Sequence, residues 1–165
     1  MVKGCISSSW VEIDLDILAA NIRAVRAHLS PHCRLLAVVK ADAYGYGAVP
    51  AARVFLENGA DYLGVANLGE AIELREHGLD RVPILVFTPL EPAAVRLALD
   101  YDLTVTITDR AAAEALSQAA LQTGKTARAH LKVDTGLRRF GLTPAETPDF
   151  VSRVYRLPGI EWEGI

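Results

Sequence analysis

Leu35-Leu36-Ala37-Val38-Val39-Lys40-Ala41-Asp42-Ala43-Tyr44-Gly45-Tyr46-Gly47 is the stretch on which the reading of this chain turns. It opens as a short, nearly continuous apolar run. Such a run suits a strand covered on both faces, as in a parallel sheet wrapped by helices, rather than a strand with one wet face. A lysine closes the run, and a loop with two glycines follows. Working outward, similar runs occur at Val11–Leu15, Tyr62–Ala66, Ile84–Phe87, Thr104–Ile107, Ala129–Val133 and Ile160–Ile165.

Between them lie amphipathic segments with helix punctuation. Helices are predicted over Asp16–Leu29, with Asp14 or Asp16 as the cap, and over Ala48–Asn58, stopped by Gly59. Others are predicted over Leu68–His77 behind Asn67, Glu91–Asp100 with Pro92 in its first turn, Asp109–Thr123 before Gly124, and Ala145–Arg156 before Pro158. The alternation of strand and helix predicts repeated βα units and an α/β fold with a parallel sheet. No Gly-x-Gly-x-x-Gly follows the early strands, so a dinucleotide-binding sheet has no support.

A (β/α)8 barrel takes roughly 250 residues, whereas this chain has 165. It supplies five strands after the first and the beginning of a sixth, and it ends at Gly164–Ile165 inside a strand-like run. The expectation is therefore an incomplete TIM-type barrel of about five to six βα units. A complete small open sheet is the competing reading. Residues 1–9 carry one lysine and no long apolar segment, which reads as a flexible tail rather than a signal peptide.

Composition narrows the function. Half the residues are apolar, the net charge is −3 and basic residues are scattered, so neither a nucleic-acid face nor a membrane span is expected. The two cysteines and four histidines have no metal-ligand spacing, and a reducing, cytoplasmic setting is expected.

In α/β barrels, residues at the C-terminal ends of strands face the active site. Lys40 holds such a position. Desolvation there favours a neutral amine over an ammonium, and a neutral amine can form a Schiff base with a carbonyl or with pyridoxal phosphate. Spacing alone leaves a plain strand-end lysine equally open. Tyr44, in the same loop, either donates its hydroxyl to an anion or packs on the rim. A second cluster, His130-Leu131-Lys132-Val133-Asp134-Thr135-Gly136-Leu137-Arg138-Arg139-Phe140-Gly141, again places a lysine near a strand end, now with two arginines suited to carboxylate or phosphate. A structural Lys–Asp pair is the bland alternative. His130 alternates with Lys132 and is expected to point inward, more as a core histidine than a catalytic one. Asn67, Glu70 and Glu73 read as a helix start and a solvated face, and Thr88 and Pro89 as structural residues after a strand end.

The segment Ala37–Gly45 resembles the pyridoxal-phosphate attachment motif of alanine racemases. Four further stretches agree in order and spacing: Trp10–Leu15 with Leu18 and Asn21, Gly64–Ala66 through Glu70-Ala71, Pro83–Val86, and Lys132–Gly136 with Arg139 and Gly141. The resemblance runs from Trp10 onward, so residues 10–165 are read as the N-terminal part of the cofactor-binding barrel. It implies that Lys40 holds pyridoxal 5'-phosphate and acts as acid/base on one face of the substrate. It further implies that Tyr44 contacts the phosphate, that Val38 and Leu85 lie near the cofactor, and that Arg139 meets its phenolic oxygen and the substrate carboxylate. Lys132 matches a position often carbamylated in the family. An anionic carbamate would pair with the arginine that a free lysine would repel.

The resemblance also implies a homodimer with a catalytic tyrosine from the partner subunit's C-terminal β-domain, and alanine as the small-molecule substrate, racemised to supply D-alanine for the cell wall. Without that domain these residues are expected to be inactive alone. The segment Val11–Leu15 is implied to be a strand of that domain, and so to lack partners here. Two positions depart from the family pattern: Tyr46 stands where histidine is usual, and Arg138 where glycine or asparagine is. A racemase for serine, lysine or another amino acid, a non-catalytic pyridoxal-phosphate barrel and a related decarboxylase are the alternatives. The cluster around Lys132 and Arg139 argues against the last two.

Overall fold

The computed structural model describes residues 9–165, and most of the expected tail lies outside them. Six parallel strands stand side by side in sequence order: β1 (Leu36–Val38), β2 (Tyr62–Val65), β3 (Ile84–Val86), β4 (Thr104–Ile107), β5 (Ala127–Leu131) and β6 (Ile160–Gly164). Helices fill each crossover: α1 (Leu15–Ala27) before β1, α2 (Lys40–Gly45) and α3 (Ala48–Glu57) after it, then α4 (Leu68–Glu76), α5 (Val95–Asp100), α6 (Arg110–Thr123) and α7 (Thr147–Val154).

Register sorts the side chains. Val38 pairs with Gly64, Gly64 with Leu85, Leu85 with Thr104, and Thr106 with His130. Because side chains alternate along a strand, these residues share one face with Tyr62, Phe87 and Arg128. The other face carries Val39, Leu63, Val65, Ile84, Val86, Val105, Ile107 and Ala129, all buried beneath the helices. The apolar core therefore lies between sheet and helices, and the opposite face is mixed. That face curls on itself. Tyr62 on β2 donates its hydroxyl to Glu163 Oε2 on β6 at 2.7 Å. In a flat sheet four strand spacings would hold them roughly 19 Å apart. The sheet is thus the greater part of a barrel wall, as the strand count led one to expect. Close approach inside the curve demands small residues: a Cβ on Gly64 would meet the ring of Phe87 and lie 2.7 Å from Leu36 Cδ2.

The caps fall where the punctuation placed them. Asp14 accepts from the amides of Asp16 and Ile17, Asn67 from Glu70 and Asp109 from Ala112, while Gly124, at φ 65°, ends α6. Four expectations need correction. The strand predicted over Val11–Leu15 is not formed: Trp10 and Val11 are exposed, no ladder reaches them, and Leu15 opens α1 behind its Asp14 cap. An extended segment needs a neighbour for its amides, and none of the described strands is offered. The helix predicted over Glu91–Asp100 starts as a 3₁₀ turn at Pro92–Ala94. The helix predicted from Ala145 starts at Thr147, after a turn across which Thr143 and Glu146 bond each other reciprocally. Finally, β5 is shifted two residues upstream of its predicted span, since Val133 leaves the sheet to bridge with Leu142.

Candidate functional site

At the C-terminal ends of the strands, inside the curve, lies a cleft of about 720 Å³ lined by Lys40, Ala66, Leu85, Phe87, Thr106, His130, Lys132, Arg139 and neighbours. Lys40, Leu85, Lys132 and Arg139, separated widely in sequence, thus meet in one place. Tyr44 stands at the rim, largely exposed, with its ring centroid 5.9 Å from Lys40 Nζ. Val38 lies on the same inner face of β1 but outside the cleft lining. The lining carries three cationic side chains and no acidic side chain. Among the described residues none of those three cations is in an ion pair; Lys132 Nζ donates only to its neighbour's carbonyl, Val133 O, at 3.1 Å. Such a cleft suits a ligand bearing phosphate and carboxylate groups.

The first wall is the segment after β1. Sequence reading made it a loop; it is instead a tight left-handed turn. Ala41, Asp42, Ala43 and Tyr44 have φ of 52°, 53°, 51° and 55°. Each such non-glycine residue costs about 1–2 kcal/mol, so the surroundings must hold the turn in place. Ala43 N–H donates to Val39 O at 2.9 Å and Gly47 N–H to Asp42 O at 3.0 Å. Asp42 Oδ1 accepts from Ala48 N at 2.6 Å, supplying α3 with the cap that Gly47 lacks a side chain to give. Glu70, from α4, accepts from Ala41 N at 3.0 Å and from Ala66 N at 2.7 Å. Sequence reading took Glu70 for a solvated helix face and did not single out Asp42. The signals available were Asn67-x-x-Glu70, a cap-and-glutamate spacing, and the place of Glu70-Ala71 in a stretch that agrees with the family.

The second wall is the loop from Lys132 to Leu142. Leu142 N–H donates to Lys132 O at 2.9 Å and Asp134 N–H to Leu142 O at 2.7 Å, closing the loop at its neck. Gly141, at φ 120°, is required there, since a Cβ would come 2.9 Å from Asp134 N. Asp134 makes no ion pair with Lys132, whose charge acts on it less than the backbone does, and instead organises the loop. Backbone amides of Arg138, then Gly136, hold its carboxyl below the usual carboxylate range. Arg138 takes φ 56° within this loop, and Arg139 stacks its guanidinium 5.7 Å from the Phe140 ring centroid.

The floor is His130, as the alternation on β5 predicted. Its ring is tilted against Tyr62, with centroids 6.4 Å apart, and lies close on β6, where a Cβ on Gly164 would come 2.8 Å from Cε1. Burial lowers its pKa, against a smaller opposing pull from Glu163. Below it Tyr62, Thr104 and Glu163 form a hydrogen-bonded trio, with Arg128 4.0 Å from the same carboxylate. Burial pushes the Tyr62 phenol up to about 12. This polar layer was invisible in sequence, because its members lie on separate strands and meet only when the sheet curls.

The chain's likenesses agree with this geometry. The family described as alanine racemase, N-terminal domain, matches residues 13–165. An alanine racemase of Oceanobacillus iheyensis is 46% identical over 159 residues, covering 95% of this chain and 42% of the relative. One of Symbiobacterium thermophilum is 44% identical over 157 residues, covering 95% of this chain and 41% of the relative. Among solved structures, alanine racemase of Clostridium difficile in complex with cycloserine superposes with a TM-score of 0.88 at 32% identity, covering 98% of this chain and 44% of that one. The alanine racemase from E. faecalis superposes with a TM-score of 0.84 at 40% identity, covering 93% of this chain and 42% of that one. The chain therefore spans well under half the length of these relatives.

Proposed function

The chain belongs to the alanine racemase N-terminal domain family, and on that premise we propose that it is the lysine-bearing wall of a pyridoxal-phosphate-dependent racemase that interconverts L- and D-alanine. The observation that carries this reading is the meeting of Lys40, Lys132 and Arg139 in a cleft lined by no acidic side chain.

The donor set fits the cofactor. It offers an amine for the aldehyde, an arginine for the phenolic oxygen and substrate carboxylate, a rim tyrosine for the phosphate, and Leu85 as apolar flank, with Val38 on the same inner face but outside the lining. When bound, pyridoxal phosphate supplies a conjugated sink for the electron pair left at the substrate Cα. The chain's own residues do the rest. Lys40 emerges from the end of β1 half-buried, and its Nζ is the atom that would carry the cofactor covalently and then take or return the Cα proton on one face. Arg139, on the opposite wall, would grip the carboxylate and so fix which face meets Lys40. Carbamylation of Lys132 would turn it from a competitor of Arg139 into its anionic partner. Racemisation needs a second acid/base group on the other face, which we assign to a tyrosine of a partner subunit. We further propose a homodimer, a cytoplasmic location and a role in supplying D-alanine for the cell wall. No described helix is long and apolar enough to cross a membrane.

The test uses the full-length protein carrying this chain. Mixing with pyridoxal phosphate should give a visible absorption band that borohydride fixes on Lys40, and L-alanine should racemise faster than L-serine or L-lysine. Absence of the band, or a fixed label on another lysine, would refute the assignment. The 165-residue chain alone is expected to show no turnover in the same assay.

A further inference from the structure

We propose that Glu70 is a positioning residue for Lys40. This rests on the reading of Lys40 given above. The hydrogen-bond ladder between β1 and β2 ends with Val39 N–H to Gly64 O at 2.9 Å. Beyond it the strands part, β1 into the left-handed turn and β2 toward α4. The next amides on either side, Ala41 and Ala66, have left the ladder. Both find the same carboxylate: Glu70 Oε1 takes Ala41 N–H at 3.0 Å and Oε2 takes Ala66 N–H at 2.7 Å. One side chain thus extends the ladder past its last rung and ties together the backbone on which Lys40 stands.

Capping does not account for this. Glu70 sits three residues after Asn67, where a glutamate ordinarily reaches back to the amide of its own cap residue. Asn67 already caps α4 by accepting Glu70 N–H at 3.1 Å. The bond to Ala41 crosses to a different βα unit and does nothing for α4. It falls on the residue directly after Lys40, the first of four in the left-handed region. Ionised acceptors make the stronger hydrogen bonds, so this pair can hold a turn that alanine and tyrosine would otherwise leave. Glu70 does not line the cleft, so it acts through the backbone of Lys40, not on substrate.

The test compares Glu70→Gln with Asn67→Ala in the full-length racemase. A glutamine keeps the size but turns an NH₂ toward one of the two amides. Misplacement by about an ångström costs on the order of a hundredfold in rate, and a partial release is expected to lower kcat about tenfold. KM should stay within about threefold, because carboxylate binding by Arg139 is untouched. The rate at which pyridoxal phosphate becomes borohydride-fixable on Lys40 should fall by a similar factor. Asn67→Ala removes the α4 cap and lowers Tm, yet should leave both rates near wild type. Should Glu70→Gln not fold, Glu70→Asp, too short to span both amides, replaces it. Wild-type rates in the Glu70 variant overturn the proposal, as does an equal loss in Asn67→Ala. A label found on a lysine other than Lys40 overturns the site itself, whereas a label on Lys40 with unimpaired Glu70→Gln overturns only the role of Glu70.

Discussion

At the scale of single residues, the second wall offers two checks. Gly141→Ala forces a Cβ against Asp134 N in a left-handed conformation. We expect it to open the loop neck and weaken substrate binding about fivefold or more, on the order of the 1–3 kcal/mol typical of such backbone strain, read as a rise in KM. Arg138→Gly relieves a φ of 56°. The relief of about 1–2 kcal/mol exceeds the roughly 0.5–1 kcal/mol of glycine entropy, so a small rise in Tm is expected. Arg138 is exposed and does not line the cleft, so KM should not change; an increase would show that Arg138 also meets substrate.

Titration at this scale has a definite sign. Burial lowers the pKa of His130 in the fold, so the unfolded chain binds its proton more readily. Stability from this group is complete above its unfolded value, about 6.5, and declines as pH falls through the lower folded value. Denaturant midpoints measured from pH 7.5 to 5 should fall in the wild type and fall less in His130→Asn. Asp134 acts in the same direction at lower pH: its contribution is present above about 3.9 and fades as pH drops through its depressed folded value.

At the scale of elements, β1 ends at Val38 by ladder assignment, yet its influence runs on through the left-handed turn into α3. Asp42 belongs to both, holding the turn through its carbonyl and capping α3 through its carboxylate. Asp42→Ala keeps the carbonyl and removes only the carboxylate, so it should cost what an isolated cap is worth, about 0.5–2 kcal/mol. A loss beyond that range on chemical denaturation would show that the carboxylate supports the left-handed turn as well as α3. Arg75 does similar splicing at the far end of the barrel, donating to the carbonyls of Tyr101, Val82 and Asp102. It is buried for structure, at the N-terminal ends of β3 and β4 and away from the cleft.

At the scale of the whole molecule, the polar trio of Tyr62, Thr104 and Glu163 spans the curve from β2 to β6. Tyr62→Phe leaves the carboxylate short of a donor in a half-buried place. A loss of about 1–3 kcal/mol is expected, measured by denaturation. The phenol also sets an alkaline limit: with a folded pKa of about 12 against 10.0 unfolded, its stability contribution is complete below pH 10 and lost as pH rises through 12. An alkaline denaturation limb absent in Tyr62→Phe would bear this out.

The order of βα units, the parallel sheet, most helix caps and the lysine at the end of β1 were all legible in the chain, because periodicity and capping are local physics. The inward placement of His130 followed from alternation alone. What local patterns could not say was which distant groups would meet. Glu70 looks like any surface glutamate until the barrel brings α4 beside Ala41. Asp134 looks like a partner for Lys132 until Gly141 folds the loop back and turns its carboxylate to backbone amides. The left-handed turn after Lys40 runs against intrinsic preference, and nothing in Ala-Asp-Ala-Tyr announces it. Val11–Leu15 shows the converse: a β-like pattern stays unpaired when no strand lies alongside. Sequence settles what each segment prefers; only closure of the sheet decides which preferences are satisfied, since hydrogen bonds between units exist only once the units are packed.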